Sequence, residues 1–133
     1  MKTVMIVDDS MILRKKLTTI LKELNYDVVA QAKTGKEAVD MYDEFKPDLV
    51  TMDITMPDMT GTDAVRLIIE KHPEANIIMS TSHKDPRMVK ASLVYGAKGY
   101  IVKPTTKAKL EEEIAKISDL SSTNDDDDEL LDD

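Results

Sequence analysis

Five short runs rich in β-branched and aliphatic residues recur along the chain, each separated from the next by enough residues for one helix: TVMIV (3–7), DVVAQA (27–32), DLVTMD (48–53), NIIMST (76–81) and GYIVK (99–103). Between them the apolar residues take up helical spacing. Leu13, Leu17, Ile20, Leu21 and Leu24 share one face over residues 10–24, opened by Ser10, with Arg14, Lys15, Lys16 and Lys22 mostly off it. Thr34 and Glu37 have capping-box spacing ahead of a helix that carries Ala38, Met41, Tyr42 and Phe45. A third helix is expected near residues 62–71. Asp85 and Pro86 read as N-cap and first residue of a fourth, which Gly96 stops, and a fifth spans about 106–117 with Leu110, Ile114 and Ile117. Strands this apolar need cover on both faces, so the alternation predicts an α/β fold: a doubly wound, five-stranded parallel sheet with (βα)5 connectivity and right-handed crossovers.

A chain of 133 residues fits one domain with its own core, and the absence of cysteine excludes a disulfide framework. No apolar stretch approaches the ~18 residues of a membrane span, and aspartates interrupt the apolar part of MKTVMIVDDS, so a cytoplasmic protein with no membrane attachment is expected. The net charge of −8 is unevenly placed. Residues 118–133 (SDLSSTNDDDDELLDD) hold 8 acidic and no basic residues, which leaves 18 acidic against 18 basic in residues 1–117. A neutral body lacks the basic footprint that binding nucleic acid by itself requires. The expected division is therefore a folded domain over 1–117 and an acidic, disordered tail over 118–133.

Parallel sheets place their sites at the carboxyl ends of the strands. Those ends are polar here: Asp8 and Asp9 after the first run, Asp53 at the third, Thr81 and Ser82 at the fourth, Lys103 at the fifth. Taken singly, each has an ordinary reading as a cap, a surface residue or an edge lysine. Their collection on one rim does not. Alternatives fall away on spacing. With glycine only at 35, 61, 96 and 99, no dinucleotide or phosphate-loop glycine motif exists. Thr55 stands where a dehalogenase-type phosphatase wants a second aspartate, and DDDDE lacks the glycine of a calcium loop.

The double aspartate after the first run, MDITMP around Asp53, ST after the fourth and GYIVKP at the fifth together resemble the receiver domain of two-component response regulators, in its stand-alone chemotaxis type. The likeness covers residues 2 to 117 and implies a flavodoxin-like sheet of order 2-1-3-4-5. That order sets strand 1 beside strand 3, hence Asp8 and Asp9 beside Asp53, and leaves Lys103 roughly 10 Å away, a gap for a lysine stem plus a phosphoryl group. Three adjacent carboxylates repel unless a cation sits among them, and hard oxygen ligands with a phosphate partner point to Mg²⁺.

The resemblance further implies that Asp9 and Asp53 ligate Mg²⁺ directly, Asp8 through water and Thr55 through its backbone carbonyl. Asp53 is then the phospho-acceptor, with Lys103 and Thr81 assisting, and Thr81 with Tyr100 forms a switch read on helix 4, strand 5 and helix 5. Thr55, His83 and Ser82 are tuning positions beside the path of attacking water and phosphoryl access, while Thr105 replaces the usual phenylalanine. His72, before Pro73, reads as a solvated helix end. The protein is expected to be a signalling component that assists its own phosphorylation and dephosphorylation, with no separate enzymatic activity. Its expected partners are a sensor histidine kinase or histidine phosphotransfer domain and a downstream protein target. With no output domain after residue 117, two roles stay open: a phosphorylation-switched binding module, or a phosphorelay intermediate or phosphate sink.

Overall fold

The computed structural model describes residues 1–82, 86–117 and 120. Strands and helices alternate without exception: β1 (Lys2–Val7), α1 (Met11–Glu23), β2 (Tyr26–Ala32), α2 (Gly35–Phe45), β3 (Leu49–Asp53), α3 (Gly61–Lys71), β4 (Ile77–Thr81), α4 (Pro86–Val94), β5 (Gly99–Val102) and α5 (Lys107–Ala115). All four strand pairings are parallel, in the order β2-β1-β3-β4-β5. Fold class and strand order are those expected.

The twofold period of each strand divides its side chains between two cores. Met5, Val7, Val50, Met52, Ile77 and Met79 face α2, α3 and α4, where Ala38, Tyr42, Ala64, Val65, Ile68 and Val89 meet them. Val4, Ile6, Leu49, Ile78 and Ile101 face α1 and α5, and pack on Leu17, Leu21, Leu110 and Ile117. Each fully buried aliphatic side chain contributes about 1.5–3 kcal/mol, which is why the sheet is sandwiched rather than half bare. Leu120, on the tail side of the expected boundary at 117, joins the second core at 3% exposure. Met56 and Met59 pack against the first.

Local signals act as their chemistry predicts. The Ser10, Thr34, Thr60 and Thr106 hydroxyls accept from the backbone N–H three residues on, capping α1, α2, α3 and α5. Glu37 completes its part by accepting from Lys33 N at 2.8 Å, one residue before the cap. Gly96, at φ 121°, takes the left-handed turn after α4 that other residues resist. Asp85, the expected cap of α4, lies outside the described residues, as does the tail beyond Leu120.

Three expectations are corrected. Arg14 is not off the buried face of α1; it is 9% exposed, because its position shares the helical period of Leu17 and Leu21. Its guanidinium donates to the Asp8 carbonyl at 2.6 Å and to Gln31 Oε1 at 3.3 Å, which satisfies a charge the core would otherwise exclude. Phe45, the last residue of α2, is 43% exposed, although Tyr42 in the same turn is buried. His72 is no solvated terminus: its side chain is 15% exposed, its Nε2 lies 2.7 Å from Asp43 Oδ1, and its ring tilts against Tyr42 at 4.8 Å. Consecutive residues of α2 supply both the aromatic wall and the carboxylate. Through His72 and Lys71 the Asp43 carboxyl is held below the usual range.

Candidate functional site

Strand register builds the site. Val7 is paired with Met52, so the next residues of the two strands, Asp8 and Asp53, end side by side at the carboxyl edge. Both are buried, at 1% and 6% exposure, while Asp9 is exposed at the rim. One carboxylate oxygen from each of Asp8, Asp9 and Asp53 lies within 4.8 Å of the others. Asp8 is held from two sides: Oδ1 accepts from Ser10 N at 2.9 Å, and its backbone carbonyl receives Arg14. Asp53 Oδ1 accepts from Thr55 N at 3.4 Å.

Lys103 closes the pocket from two strands away. Its backbone N–H extends the β4–β5 ladder by bonding Thr81 O at 2.7 Å, although β5 itself ends at Val102. The peptide bond from Lys103 to Pro104 is cis. Its Nζ reaches Asp8 Oδ2 at 3.1 Å and Asp53 Oδ1 at 3.4 Å. The lysine stem spans the β4 strand and bonds both carboxylates directly.

Burial pushes the Asp53 carboxyl up from its ordinary value; Lys103 pulls it back down, and Asp8 raises it further. Because the folded value exceeds the unfolded one, the native state binds this proton more tightly. This group's contribution to stability is complete below about pH 4 and is lost as pH rises through the raised value. Asp53→Asn, which never ionises, is thus expected to be more stable than the parent at about pH 7 in a chelator, with the difference gone at about pH 3. Urea midpoints at the two pH values check this. A parent at least as stable as the variant at the higher pH contradicts it.

The donor set is entirely hard oxygen, and three carboxylates face one ammonium, so the cluster suits a small divalent cation. Thr55 is exposed just past Asp53. Thr81 is buried at the end of β4, with Ser82 exposed beyond it. His83 falls outside the described residues. Tyr100 pairs with Met79, two residues before Thr81, so Tyr100 and Thr81 lie on the same face of adjacent strands, the tyrosine 38% exposed.

Two contributors escape sequence reasoning. Arg14 anchors the strand end that carries Asp8, and only its period with Leu17 and Leu21 betrays it. Gly61, first residue of α3, passes so close behind β3 that a Cβ there would fall on the Asp53 carbonyl and lie 2.9 Å from Ile54 Cα; its own N–H bonds Ile54 O at 2.6 Å.

An acidic trio and a lysine converging on the carboxyl edge of a 2-1-3-4-5 sheet define the receiver class of signalling domains. The profile of the response regulator receiver domain matches residues 4–115, and the chain belongs to that family. It is similar to the chemotaxis protein CheY of Thermotoga maritima, 43% identical over 117 residues that cover 88% of this chain and 98% of that protein. Protein CcdB of Bacillus subtilis is 41% identical over 117 residues, with the same two coverages of 88% and 98%. Among solved structures, the CheX–CheY–BeF3–Mg complex of Borrelia burgdorferi has a chain that superposes with a TM-score of 0.82 at 37% identity, covering 86% of this chain and 87% of that one. The chain is thus a CheY-like receiver, in keeping with chemotaxis-type signalling. Among the described residues no helix is long and apolar enough to cross a membrane.

Proposed function

We propose that this protein is a phosphorylation-switched signalling component that accepts a phosphoryl group on Asp53 and then binds a downstream protein. The observation that carries the reading is Lys103 Nζ lying within 3.4 Å of both Asp8 and Asp53 carboxylates, with Asp9 beside them. A carboxylate attacking phosphorus must approach an anion, so the site needs positive charge where the phosphoryl oxygens arrive. Lys103 provides a fixed ammonium there. Asp8, Asp9 and Asp53, with the Thr55 backbone carbonyl, would hold Mg²⁺, which supplies further neutralisation of those oxygens when bound.

One oxygen of Asp53 forms the new bond to phosphorus while the bond to the donor's leaving atom breaks, and the donor keeps that electron pair. For a sensor kinase or phosphotransfer domain the leaving atom is a histidine nitrogen; for acetyl phosphate it is an acetate oxygen. The CheY of the Borrelia burgdorferi complex was captured with CheX, BeF3 and Mg, which supports both the Mg²⁺ assignment and a protein target. Incubation with acetyl phosphate is expected to add one phosphoryl group in Mg²⁺ and none in excess chelator, read by intact mass. Equal uptake under both conditions sinks the metal assignment.

Transmission rests on Thr81 and Tyr100. Their shared face lets Thr81, drawn toward a phosphoryl oxygen, vacate space for the exposed ring of Tyr100 to turn inward and alter the surface of α4, β5 and α5. Coupling of about 1–3 kcal/mol gives a roughly 5- to 150-fold gain in target affinity. Adding beryllofluoride and Mg²⁺ is expected to produce that gain in the parent and to lose most of it in Thr81→Ala. A variant with the full parental gain removes Thr81 from the mechanism.

A further inference from the structure

The loop between β3 and α3, residues 54–60, is held at both its neck and its tip. At the neck, Gly61 N bonds Ile54 O at 2.6 Å and Ile54 N bonds Ser80 O at 3.0 Å. At the tip, the Asp58 carboxylate reaches across to the start of α2, where Oδ1 accepts from Gly35 N and Oδ2 from Lys36 N, both at 2.9 Å. Met59 follows it onto the same helix end, its Cγ crowding the place that a Gly35 Cβ would take.

The two bonds answer a need of α2, because the first N–H groups of a helix have no partner within it. Thr34 Oγ1 takes that of Glu37, and Asp58 takes those of Gly35 and Lys36. A carboxylate is the favoured acceptor at this positive end of the helix dipole. The same N–H groups hold the Asp58 carboxyl below its ordinary value. Lys36 contributes its backbone, while its ammonium pairs with Asp40 at 2.8 Å.

Thr55 lies between neck and tip, one residue past Ile54 and three before Asp58. Its N–H is turned to Asp53 Oδ1 at 3.4 Å. Pro57 restricts the backbone on either side of it, and Met56 packs against the first core. With the tip tied down, few conformations remain for the peptide whose carbonyl the reading above gives to Mg²⁺.

We propose that Asp58 is a positioning residue for the cation site: by clamping the loop to the N-terminus of α2, it fixes the peptide of Thr55 next to Asp53. The proposal rests on the assignment of the Thr55 carbonyl to Mg²⁺ made above.

Titration of the full-length protein with Mg²⁺ alone, followed through the amide NMR shifts of Asp8, Asp9 and Asp53, tests it without phosphoryl chemistry. Asp58→Ala is expected to weaken Mg²⁺ binding about tenfold, the low end of what losing a residue that orients a metal ligand costs. The Asp58 side chain is exposed, so both cores stay intact. Measured against the parent at equal salt, the loss should persist in about 0.5 M NaCl, where a Debye length of a few ångströms screens the charge that the substitution removes. Thr34→Ala removes the other cap from the same helix end but leaves the loop tied, so it should lower the urea midpoint and leave Mg²⁺ affinity within about twofold of the parent. An Asp58→Ala affinity equal to the parent's, a loss that salt abolishes, or an equal loss in Thr34→Ala overturns the clamp while Mg²⁺ binding itself stands. A parent with no saturable shift removes the Mg²⁺ assignment, and the role of Asp58 with it.

Discussion

Asp53→Asn is expected to take up no phosphoryl group from acetyl phosphate in the presence of Mg²⁺, a complete loss where the parent gains one. The amide keeps the size and shape of the carboxylate and leaves Lys103 its bond to Asp8. The pocket therefore survives while the nucleophilic oxyanion does not. The neighbouring acids are poor substitutes: Asp8 is bound through Oδ1 to Ser10 and through Oδ2 to Lys103, and Asp9 stands exposed at the rim rather than beneath the lysine. Intact mass decides the matter, and the same phosphoryl adduct on the asparagine variant would show that another side chain is the acceptor.

Gly61→Ala is expected to be strongly destabilising. The added methyl meets backbone, the Asp53 carbonyl and Ile54 Cα, not the end of a side chain that could swing away. Relief requires moving the start of α3 or the end of β3, and overpacking of this kind costs roughly 3 kcal/mol. By contrast, a methyl at Gly35 meets the Met59 side chain and one at Gly99 meets Glu113, both flexible. Since β3 ends on Asp53, the strain also displaces the acceptor, so phosphoryl uptake should fall with stability. Urea denaturation of Gly61→Ala beside Gly99→Ala checks the contrast, and a loss below about 0.5 kcal/mol at Gly61 would refute the close-approach argument.

Much of this is legible in the sequence because strand and helix periods differ so plainly. Runs such as TVMIV and NIIMST, mostly apolar and bounded by helical spacing, leave few arrangements besides a covered parallel sheet. The rim followed from strand ends, and register alone then brings Asp8 to Asp53. What stayed hidden depends on three-dimensional position rather than residue type. Arg14 reads as off the apolar face of α1, yet its period with Leu17 buries it under Asp8. His72 reads as exposed at a helix end, but α2 covers it with Tyr42 and Asp43 from another part of the chain. Strand spacing sets only the Lys103 backbone two strands from Asp53, and the reach of its stem to both carboxylates is visible only with the side chain in place. Gly61 carries no chemical signature, only the absence of a side chain where two backbones nearly touch.

One covalent bond, from an Asp53 oxygen to phosphorus, is the centre of the proposed mechanism, and chemical trapping locates it. An acyl phosphate on aspartate is reduced by borohydride to the corresponding alcohol, so treatment of the acetyl phosphate-modified protein followed by peptide sequencing marks the acceptor as homoserine. Homoserine at position 53, present only when Mg²⁺ accompanied the donor, is the predicted result. Homoserine at Asp8, Asp9 or elsewhere with Asp53 unchanged would contradict the assignment directly.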